Sequence, residues 1–473
     1  MPSYELMLNR LTLTRLAAEL RSGRASAADA VEAFLKQIES QNPRINAFVS
    51  VYADEARSAA SRADHERMTR CELGPLHGVP ITIKDSFDIE GRPTYCGSRL
   101  RLDYRAPKDS TAVARLRSAG AIILGKTNCP EFLYSYETDN AITGRTNNPS
   151  DPERTAGGSN GGEAAAIASY CSAGGMGSDG GGSIREPAHF CGIAGLKPTP
   201  GRVPATGHFP LIQHPGGLLG VGGPMARTAE DGRALFQVTA GNDCEDPFSA
   251  PVALREASLS GLRIGFFEQF AHIPVEPPVR AAVREAARVA QDLGLPVEPF
   301  ETSGFERAPA LWWFFFGQVA APFLQQMIAG REDQVHWTGR ELLDIALEKP
   351  TPTMVQMAEN LAARDAMRGA LLRRMKSCPL LLTPASGVTA FPHRTRTWQT
   401  PERSIGLFEA MAPLTFANLL GLPAMVIPFG RTDQGLPVGV QIIGRPWEEE
   451  LVLEAAVRLE EARGPFPGPA LAV

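Results

Sequence analysis

A glycine-rich stretch between residues 157 and 201 decides how this sequence is interpreted. It reads GGSNGGE at 157–163, GSDGGGSIREPA at 177–188 and GIAGLKPT at 192–199. The stretch holds 13 of the 46 glycines of the chain. Glycine makes up 29% of this segment against about 10% of the whole chain, which is the strongest shift in composition along the sequence.

The whole chain of 473 residues has the composition of an ordinary soluble globular protein. Its residues are 43% hydrophobic and 21% charged, which excludes a disordered chain. The 47 basic and 52 acidic residues give a net charge of −5 with no basic block, so no nucleic-acid partner is expected. The seven cysteines are scattered without a CxxC pair, and no segment predicts a membrane span. These features predict a cytoplasmic protein without a structural metal site.

Apolar periodicity alternates between helix and strand along the chain. Residues 14–39 predict two amphipathic helices, the second beginning at a capping box at Ser26, and residues 164–171 predict an alanine-rich helix. A βαβ unit is predicted from strands at 262–267 and 295–300 and a helix at 279–293. Further strands are predicted at 78–85, 121–124, 380–383 and 425–428. This alternation predicts an α/β fold with a mixed sheet.

Residues 120–127, GAIILGKT, match the phosphate-loop pattern GxxxxGK[ST]. A phosphate loop needs its strand before the first glycine and an open loop after it. Here the four variable positions are apolar strand formers, so we favour a core strand over a nucleotide site.

Residues 157–161, GGSNG, match the GxSxG nucleophile elbow of α/β-hydrolases, which would make Ser159 the nucleophile. That elbow follows a hydrophobic strand, whereas residues 151–156 are DPERTA. Six histidines lie downstream, so the supply of histidine does not exclude this arrangement. An α/β-hydrolase-type esterase stays open as a less favoured alternative.

The glycine-rich motifs together resemble the amidase signature family. That family has GGSSGG, then D-x-GGS-x-R-x-PA, then G-x-x-G-x-KPT, and the corresponding Ser159 and Ser183 lie 24 positions apart, as its pattern requires. Other motifs of the family occur in order: GVPITIKD at 78–85, GKTN at 125–128, GPMART-x-ED at 223–231, LLTPA at 381–385, GLPA at 421–424 and LPVGVQIIGRP at 436–446. The sequence is identified as a member on these motifs, which extend over most of its length.

The resemblance implies a single α/β domain over residues 1–473, with a large mixed sheet wrapped by helices. The catalytic core would comprise about 60–240 and 376–473, and 245–375 would be a variable, substrate-facing helical region. The implied activity is that of a serine hydrolase that cleaves the C–N bonds of amides without a metal or organic cofactor. Such an enzyme would act on a small-molecule amide or carbamate as a monomer or homodimer.

The resemblance also assigns the reacting residues. Ser183 corresponds to the nucleophile, Ser159 to a serine that follows a cis peptide bond and relays the proton, and Lys84 to the general base. Burial can lower the pKa of a lysine, about 10.4 when free, by several units, and a neutral lysine can take the proton of a serine. Asp85 would oppose this shift, but strand alternation points it to the other side. We therefore expect a deprotonated Lys84 in the resting enzyme.

Two further sets of residues are expected to support the reaction. Backbone N–H groups that converge on the oxyanion of a tetrahedral intermediate are predicted at Gly180, Gly181, Gly182 and Ser183. Side chains that hold this loop are predicted to be Asp179, Arg185 and Asn160. Asparagine at position 160 is a departure, since the family more commonly has a second serine there, and its effect on the loop stays open.

Residues 308–330 carry no charge and include five consecutive aromatic residues at 312–316. A helix turns about 100° per residue, so these five cannot all face one side. We expect some of them in the core and others at the wall of a substrate pocket, with Trp312, Phe316 and Cys129 as the predicted substrate contacts. Such a wall favours bulky hydrophobic or aryl amides, with carbamates (urethanes) and esters as further candidates. The alternative is the glutamine-hydrolysing component of a transamidase that forms Gln-tRNA, whose substrate needs charged partners.

Overall fold

The computed structural model describes residues 8–69, 72–212 and 219–469, and its central feature is a mixed β-sheet. The strands are β1 (Phe48–Val51), β2 (Pro80–Lys84), β3 (Ile122–Thr127), β4 (Gly174–Asp179), β5 (Ala194–Lys197), β6 (Val221–Ala226), β7 (Ile264–Phe266), β8 (Val297–Pro299), β9 (Leu380–Pro384), β10 (Thr397–Gln399), β11 (Ser404–Gly406), β12 (Ala424–Arg431) and β13 (Pro437–Gly444). Eleven of these described strands form the sheet in the order β1-β3-β2-β4-β6-β5-β12-β13-β9-β7-β8, and β10 pairs with β11 separately.

Helices precede, connect and follow these strands. They are α1 (Leu13–Ser22), α2 (Ala27–Ile45), α3 (Ala53–Thr69), α4 (Thr111–Ser118), α5 (Gly161–Ala168), α6 (Arg185–Cys191), α7 (Ala229–Thr239), α8 (Pro277–Asp292), α9 (Ala308–Trp313), α10 (Ala321–Ile328), α11 (Trp337–Leu347), α12 (Met354–Arg374), α13 (Leu407–Ala410), α14 (Ala412–Leu419) and α15 (Glu449–Arg463). Short 3₁₀ turns occur at Arg99–Arg101, Glu131–Leu133 and Glu332–Gln334. Every residue of β2, β3 and β4 is buried, so both faces of the sheet centre are covered.

The sheet is mixed at its centre, where β4 is parallel to one neighbouring strand and antiparallel to the other. On one side β2 runs parallel to both β3 and β4, and on the other side β4 pairs antiparallel with β6. Parallel strands end at the same edge of a sheet, so the carboxyl ends of β2 and β4 lie next to each other. Any side chain at those two ends is therefore brought together by the topology.

The predicted α/β fold with a mixed sheet in a single domain is confirmed. The Ser26 hydroxyl caps α2 by accepting from Asp29 N at 2.9 Å, and Gly23 ends α1 in the left-handed conformation at φ 73°. The predicted βαβ unit is present as β7, α8 and β8, with β7 and β8 parallel. Six of the eight residues of the phosphate-loop match form β3, which continues through the GKT residues to Thr127.

Two segments differ from their predicted form. The alanine-rich helix is α5 and begins at Gly161, three residues earlier than expected, directly after the glycine-rich turn. The aromatic run does not continue as one regular helix, because a π-helical turn at Phe314–Gln318 separates α9 from α10. The division into a core and a variable region at 245–375 stays a prediction. Two strands of the latter region, β7 and β8, join the main sheet.

Candidate active site

Lys84 is the last residue of β2, and its side chain is completely buried. Its Nζ donates hydrogen bonds to Ser159 Oγ at 2.7 Å and to Ser178 Oγ at 3.2 Å. Burial lowers the pKa of this lysine to about 8, because removal from water disfavours the charged form. Asp85 faces away from it, and the Asp85 carboxylate oxygen Oδ1 lies 2.9 Å from Lys126 Nζ, as strand alternation predicted.

The turn that carries Ser159 leaves no space for a side chain before it. The Gly158–Ser159 peptide bond is cis. A Cβ on Gly158 would lie 2.5 Å from Ser135 O, so only glycine fits at this position. The N–H of Gly158 donates to Glu186 Oε2 at 2.7 Å, which ties the turn to α6.

Asp179 and Arg185 lie at the two ends of the loop that contains Ser183, and they form a completely buried ion pair. Arg185 donates from Nε at 2.9 Å and from Nη2 at 3.0 Å, one bond to each oxygen of Asp179. Burial alone would raise the pKa of Asp179, but the charge and hydrogen bonds of Arg185 outweigh it and leave the pKa well below its usual value. The same carboxylate accepts from Gly182 N at 2.7 Å and Ile184 N at 3.1 Å. The predicted loop-holding pair is therefore an actual contact.

The N–H groups of the loop that contains Ser183 differ in whether they are already hydrogen-bonded. The Gly182 N–H is committed to Asp179, which differs from the expectation that all four consecutive N–H groups are free. Among the described residues, the N–H groups of Gly180, Gly181 and Ser183 are not bound to any acceptor. The carbonyls of Gly180 and Gly181 accept from Trp312 Nε1 and Tyr136 Oη, each at 2.9 Å, which fixes the orientation of the two peptide units.

Asn160 connects the two serine-bearing segments. Its Nδ2 donates to the carbonyl oxygens of Ser178, at 2.9 Å, and Ser183, and its Oδ1 accepts from Ser178 N at 3.2 Å. Gly177 permits this packing, since a Cβ there would lie 2.7 Å from Asn160 Oδ1. The asparagine thus holds the end of β4 and the Ser183 loop in one arrangement.

Ser159 and Ser183 both line one cavity of about 390 Å³, and Ser178 and Asp179 lie at its floor. The rest of its described lining is glycine and apolar or aromatic residues: Phe132, Leu133, Tyr134, Gly180, Phe209, Pro210, Leu211, Ile212, Leu219, Gly220, Phe316, Ala320, Phe323, Leu324 and Met327. Asp179 is the one acidic or basic residue of this described lining, and Arg185 already neutralises it. The cavity therefore offers a serine-lined floor and an uncharged wall.

The three predicted substrate contacts occupy different places. Phe316 lines the cavity and is stacked between Tyr134 and Trp312, with ring centroids 5.2 and 4.7 Å away. Trp312 is buried behind it and supports the loop through Gly180. Cys129 is fully buried and does not belong to the cavity lining. The structure thus brings one of the three to the cavity wall.

Two residues of this site, Glu163 and Ser178, were not predicted from the sequence. Glu163 on α5 is completely buried and accepts from Thr82 and Thr127 hydroxyls at 2.5 and 2.6 Å. Burial raises its pKa to about 7 despite these hydrogen bonds. Ser178 lies one residue before Asp179 in β4, a strand that the sequence analysis did not predict.

The described residues give no support to the nucleophile-elbow alternative. No histidine is present among the described residues that line the cavity, and the basic group beside Ser159 is a lysine. His189, the first histidine after the motif, is buried with both ring nitrogens engaged, by Val388 O at 3.0 Å and Gly439 N at 2.7 Å. In the same described ranges, no cluster of three potential metal ligands occurs, and no helix has the length and apolarity to cross a membrane.

Comparison with known proteins matches this chain to the Amidase family model over residues 29–453. The chain belongs to the amidase family. It is 35% identical to the indoleacetamide hydrolase of Bradyrhizobium diazoefficiens, over 95% of this chain and 86% of that protein. It is also 36% identical to one component of the glutamyl-tRNA(Gln) amidotransferase of Chloroflexus aurantiacus, over 96% of this chain and 97% of that component.

Among solved structures, a bacterial aryl acylamidase of the amidase signature family superposes with a TM-score of 0.86 at 27% identity, covering 96% of each chain. Membership of the family makes this protein a hydrolase that acts on amides. The relatives differ from one another in substrate, so membership sets the class of reaction and leaves the substrate to be argued from the cavity.

Proposed function

We propose that this protein hydrolyses small amides that carry a bulky apolar or aryl group, through an acyl-enzyme formed on Ser183. The observation that carries the proposal is the placement of a buried lysine of lowered pKa, 2.7 Å from Ser159, at the serine-lined floor of an uncharged cavity. Carbamates and esters of similar shape are further candidate substrates, since they present the same acyl carbon to the nucleophile.

In the proposed reaction, neutral Lys84 takes the proton of the Ser159 hydroxyl as Ser159 takes that of Ser183. The oxygen of Ser183 then forms a bond to the carbonyl carbon, and the free N–H groups of Gly181 and Ser183 stabilise the negative oxygen that results. The proton returns through Ser159 to the amine nitrogen, the C–N bond breaks, and the amine leaves. Water then attacks the acyl carbon and passes its proton through Ser159 to Lys84. The bond from the acyl carbon to the Ser183 oxygen breaks, that oxygen takes the proton back through Ser159, and the acid leaves.

The uncharged wall argues for an apolar substrate. Glutamine carries an ammonium and a carboxylate, and burying each without a charged partner is costly. The described lining of the cavity provides no cation for the carboxylate of glutamine. The one carboxylate of that lining, Asp179, is already paired with Arg185 and is not available for the ammonium group. The glutamine-hydrolysing alternative is supported by the 36% identity to the Chloroflexus amidotransferase component, so it is included in the test.

The test measures p-nitroaniline release from a hydrophobic acyl-p-nitroanilide by the wild type, Ser183→Ala and Ser258→Ala. Ser258 is exposed and far along the chain from the glycine-rich stretch, which makes it a matched control. We expect wild-type and Ser258→Ala to turn over equally, and Ser183→Ala to lose at least about a thousandfold. Added hydroxylamine should divert the acyl group to a hydroxamate in the two active proteins.

Three other outcomes contradict parts of the proposal. Equal activity of Ser183→Ala would remove Ser183 as the nucleophile. Absence of the hydroxamate would remove the acyl-enzyme. Ammonia release from glutamine, with no turnover of the anilide, would exclude the apolar substrate class and support the transamidase alternative.

A further inference from the structure

A second cavity, of about 200 Å³, lies behind the wall of the catalytic cavity. Ile212 and Gly220 line both cavities, so the two share part of one wall. The lining of the second cavity differs in character because it includes the arginines Arg364 and Arg368 together with Trp447. Neither arginine takes part in the proposed hydrolysis.

The two arginines lie on the same face of α12, since residues four positions apart on a helix are neighbours. The Nε of Arg364 donates a hydrogen bond to Leu419 O at 2.6 Å, and the side chain of Arg364 is 11% exposed. Burial lowers the pKa of Arg364, the negative charge of Asp365 raises it, and the positive charge of Arg368 lowers it. The Nε of Arg368 is buried and has no hydrogen-bond partner.

Nearby carboxylates do not neutralise both arginines. Asp365 lies 3.6 Å from Arg364 Nη1 and is 70% exposed, so water screens this ion pair. Asp246 also lines the cavity, and each of its oxygens already accepts a backbone N–H, from Ala205 at 2.9 Å and Phe248 at 3.0 Å. The cavity therefore contains two positive charges, one opposing negative charge and a buried donor without an acceptor.

We propose that Arg364 and Arg368 form a binding site for a small oxyanion, either a carboxylate or a phosphate group, behind the catalytic cavity. Guanidinium groups present paired N–H donors that match the oxygens of both anions. A bound anion would accept hydrogen bonds from the guanidinium groups and reduce the repulsion between the two arginines. The volume fits a small acid or phosphate rather than a large ligand.

The test measures binding directly and requires no turnover, so it is independent of the proposed hydrolysis. The wild type is titrated with sodium phosphate and, separately, with sodium benzoate, at ionic strength held constant with sodium chloride. Binding is followed by calorimetry and by tryptophan fluorescence. Saturable binding of either anion beyond the chloride control supports the site, and the anion that binds identifies the chemistry of the group.

The variants locate the binding. Arg368→Gln should weaken it at least tenfold, and Arg373→Gln, which removes the same charge from an exposed position of α12, should leave it unchanged. Trp447→Phe should keep the calorimetric binding and lose the fluorescence response. Arg368→Lys, which retains the charge without the forked donors, should bind with intermediate affinity if Arg368→Gln fails to fold. No saturable binding of either anion, or equal binding by Arg368→Gln and Arg373→Gln, would overturn the proposal.

Discussion

The value of kcat/KM should rise about tenfold between pH 7 and pH 9 and then level off. The reason is that Lys84 can act as the proposed base only when it is neutral. With a pKa of about 8, the neutral fraction is about 0.09 at pH 7 and about 0.9 at pH 9. If the pKa of Lys84 were the ordinary 10.5, kcat/KM would rise about a hundredfold between pH 7 and pH 9 and would continue to rise above pH 9.

The assay is p-nitroaniline release at low substrate concentration from pH 6 to pH 10.5, with an anilide whose groups do not titrate in that range. At low substrate concentration the profile reports the free enzyme. A rate that still climbs tenfold per pH unit at pH 10 would refute the lowered pKa. A rate that falls with pH would refute the role of Lys84 as base.

Glu163→Gln is the matched control for this profile, because Glu163 has a pKa of about 7 and lies close enough to influence Lys84. Its negative charge raises the pKa of Lys84, so the variant should keep the same profile with a midpoint at slightly lower pH. If kcat/KM of Glu163→Gln no longer changed with pH around this midpoint, the titrating group would be the Glu163 carboxyl group and not Lys84.

Two further predictions concern stability and substrate size. Lys84→Met should abolish turnover, and the free energy of unfolding of the wild type should rise by about 2.5 kcal/mol relative to this variant between pH 7 and pH 10. The free energy of unfolding rises with pH because Lys84 keeps its proton up to about pH 10.5 in the unfolded chain and releases it near pH 8 in the folded protein. Urea unfolding that gives the same pH dependence of this free energy for the wild type and the variant would contradict the prediction. Phe316→Ala should lower kcat/KM for an aryl anilide about tenfold, since the stacked ring forms cavity wall, with little change for an acetyl substrate. An equal loss for both substrates would indicate damage to the loop instead.

Local patterns in the sequence predicted the parts of the fold that depend on neighbouring residues. The start of α2 follows from Ser26 and its capping box, and the stop of α1 follows from Gly23. The pairing of Lys84 with Ser159 was also expected, but only through a resemblance between motifs. No periodicity or spacing would bring residues 75 positions apart into hydrogen-bond contact.

The remainder depends on long-range packing that no local pattern expresses. Arg185 donates to Leu414 O and to the side chains of Asn418 and Gln441, all more than 220 positions away in the chain. The engagement of the Gly182 N–H by Asp179 was missed because a run of glycines gives no sign of which N–H is already bound. The π-helical turn at Phe314–Gln318 was missed for a similar reason. There the packing of five large rings determines the backbone, and their sequence alone does not say which ring faces which neighbour.

The placement of carboxylates distinguishes Lys84, the proposed base, from two other buried basic residues, Arg185 and Lys126. Lys197 is also buried and has a pKa lowered to about 7, but its Nζ donates to Pro198 O and not to a serine. Arg185 is bound through two hydrogen bonds to Asp179, which keeps both groups charged and structural. Lys126 lies 2.9 Å from Asp85 and donates to Pro93 O and Thr94 Oγ1.

Within the described part of the chain, Lys84 has two serine hydroxyls as its hydrogen-bond partners and no carboxylate in direct contact. A carboxylate beside it would stabilise the ammonium form and raise its pKa. Asp85 is the carboxylate next to Lys84 in the chain, and Lys126, from the segment that resembles a phosphate loop, holds it on the other side of β2. Lys126 therefore contributes to the proposed reaction by holding Asp85 away from the lysine that must lose its proton, which is a role that no nucleotide-binding motif would have suggested.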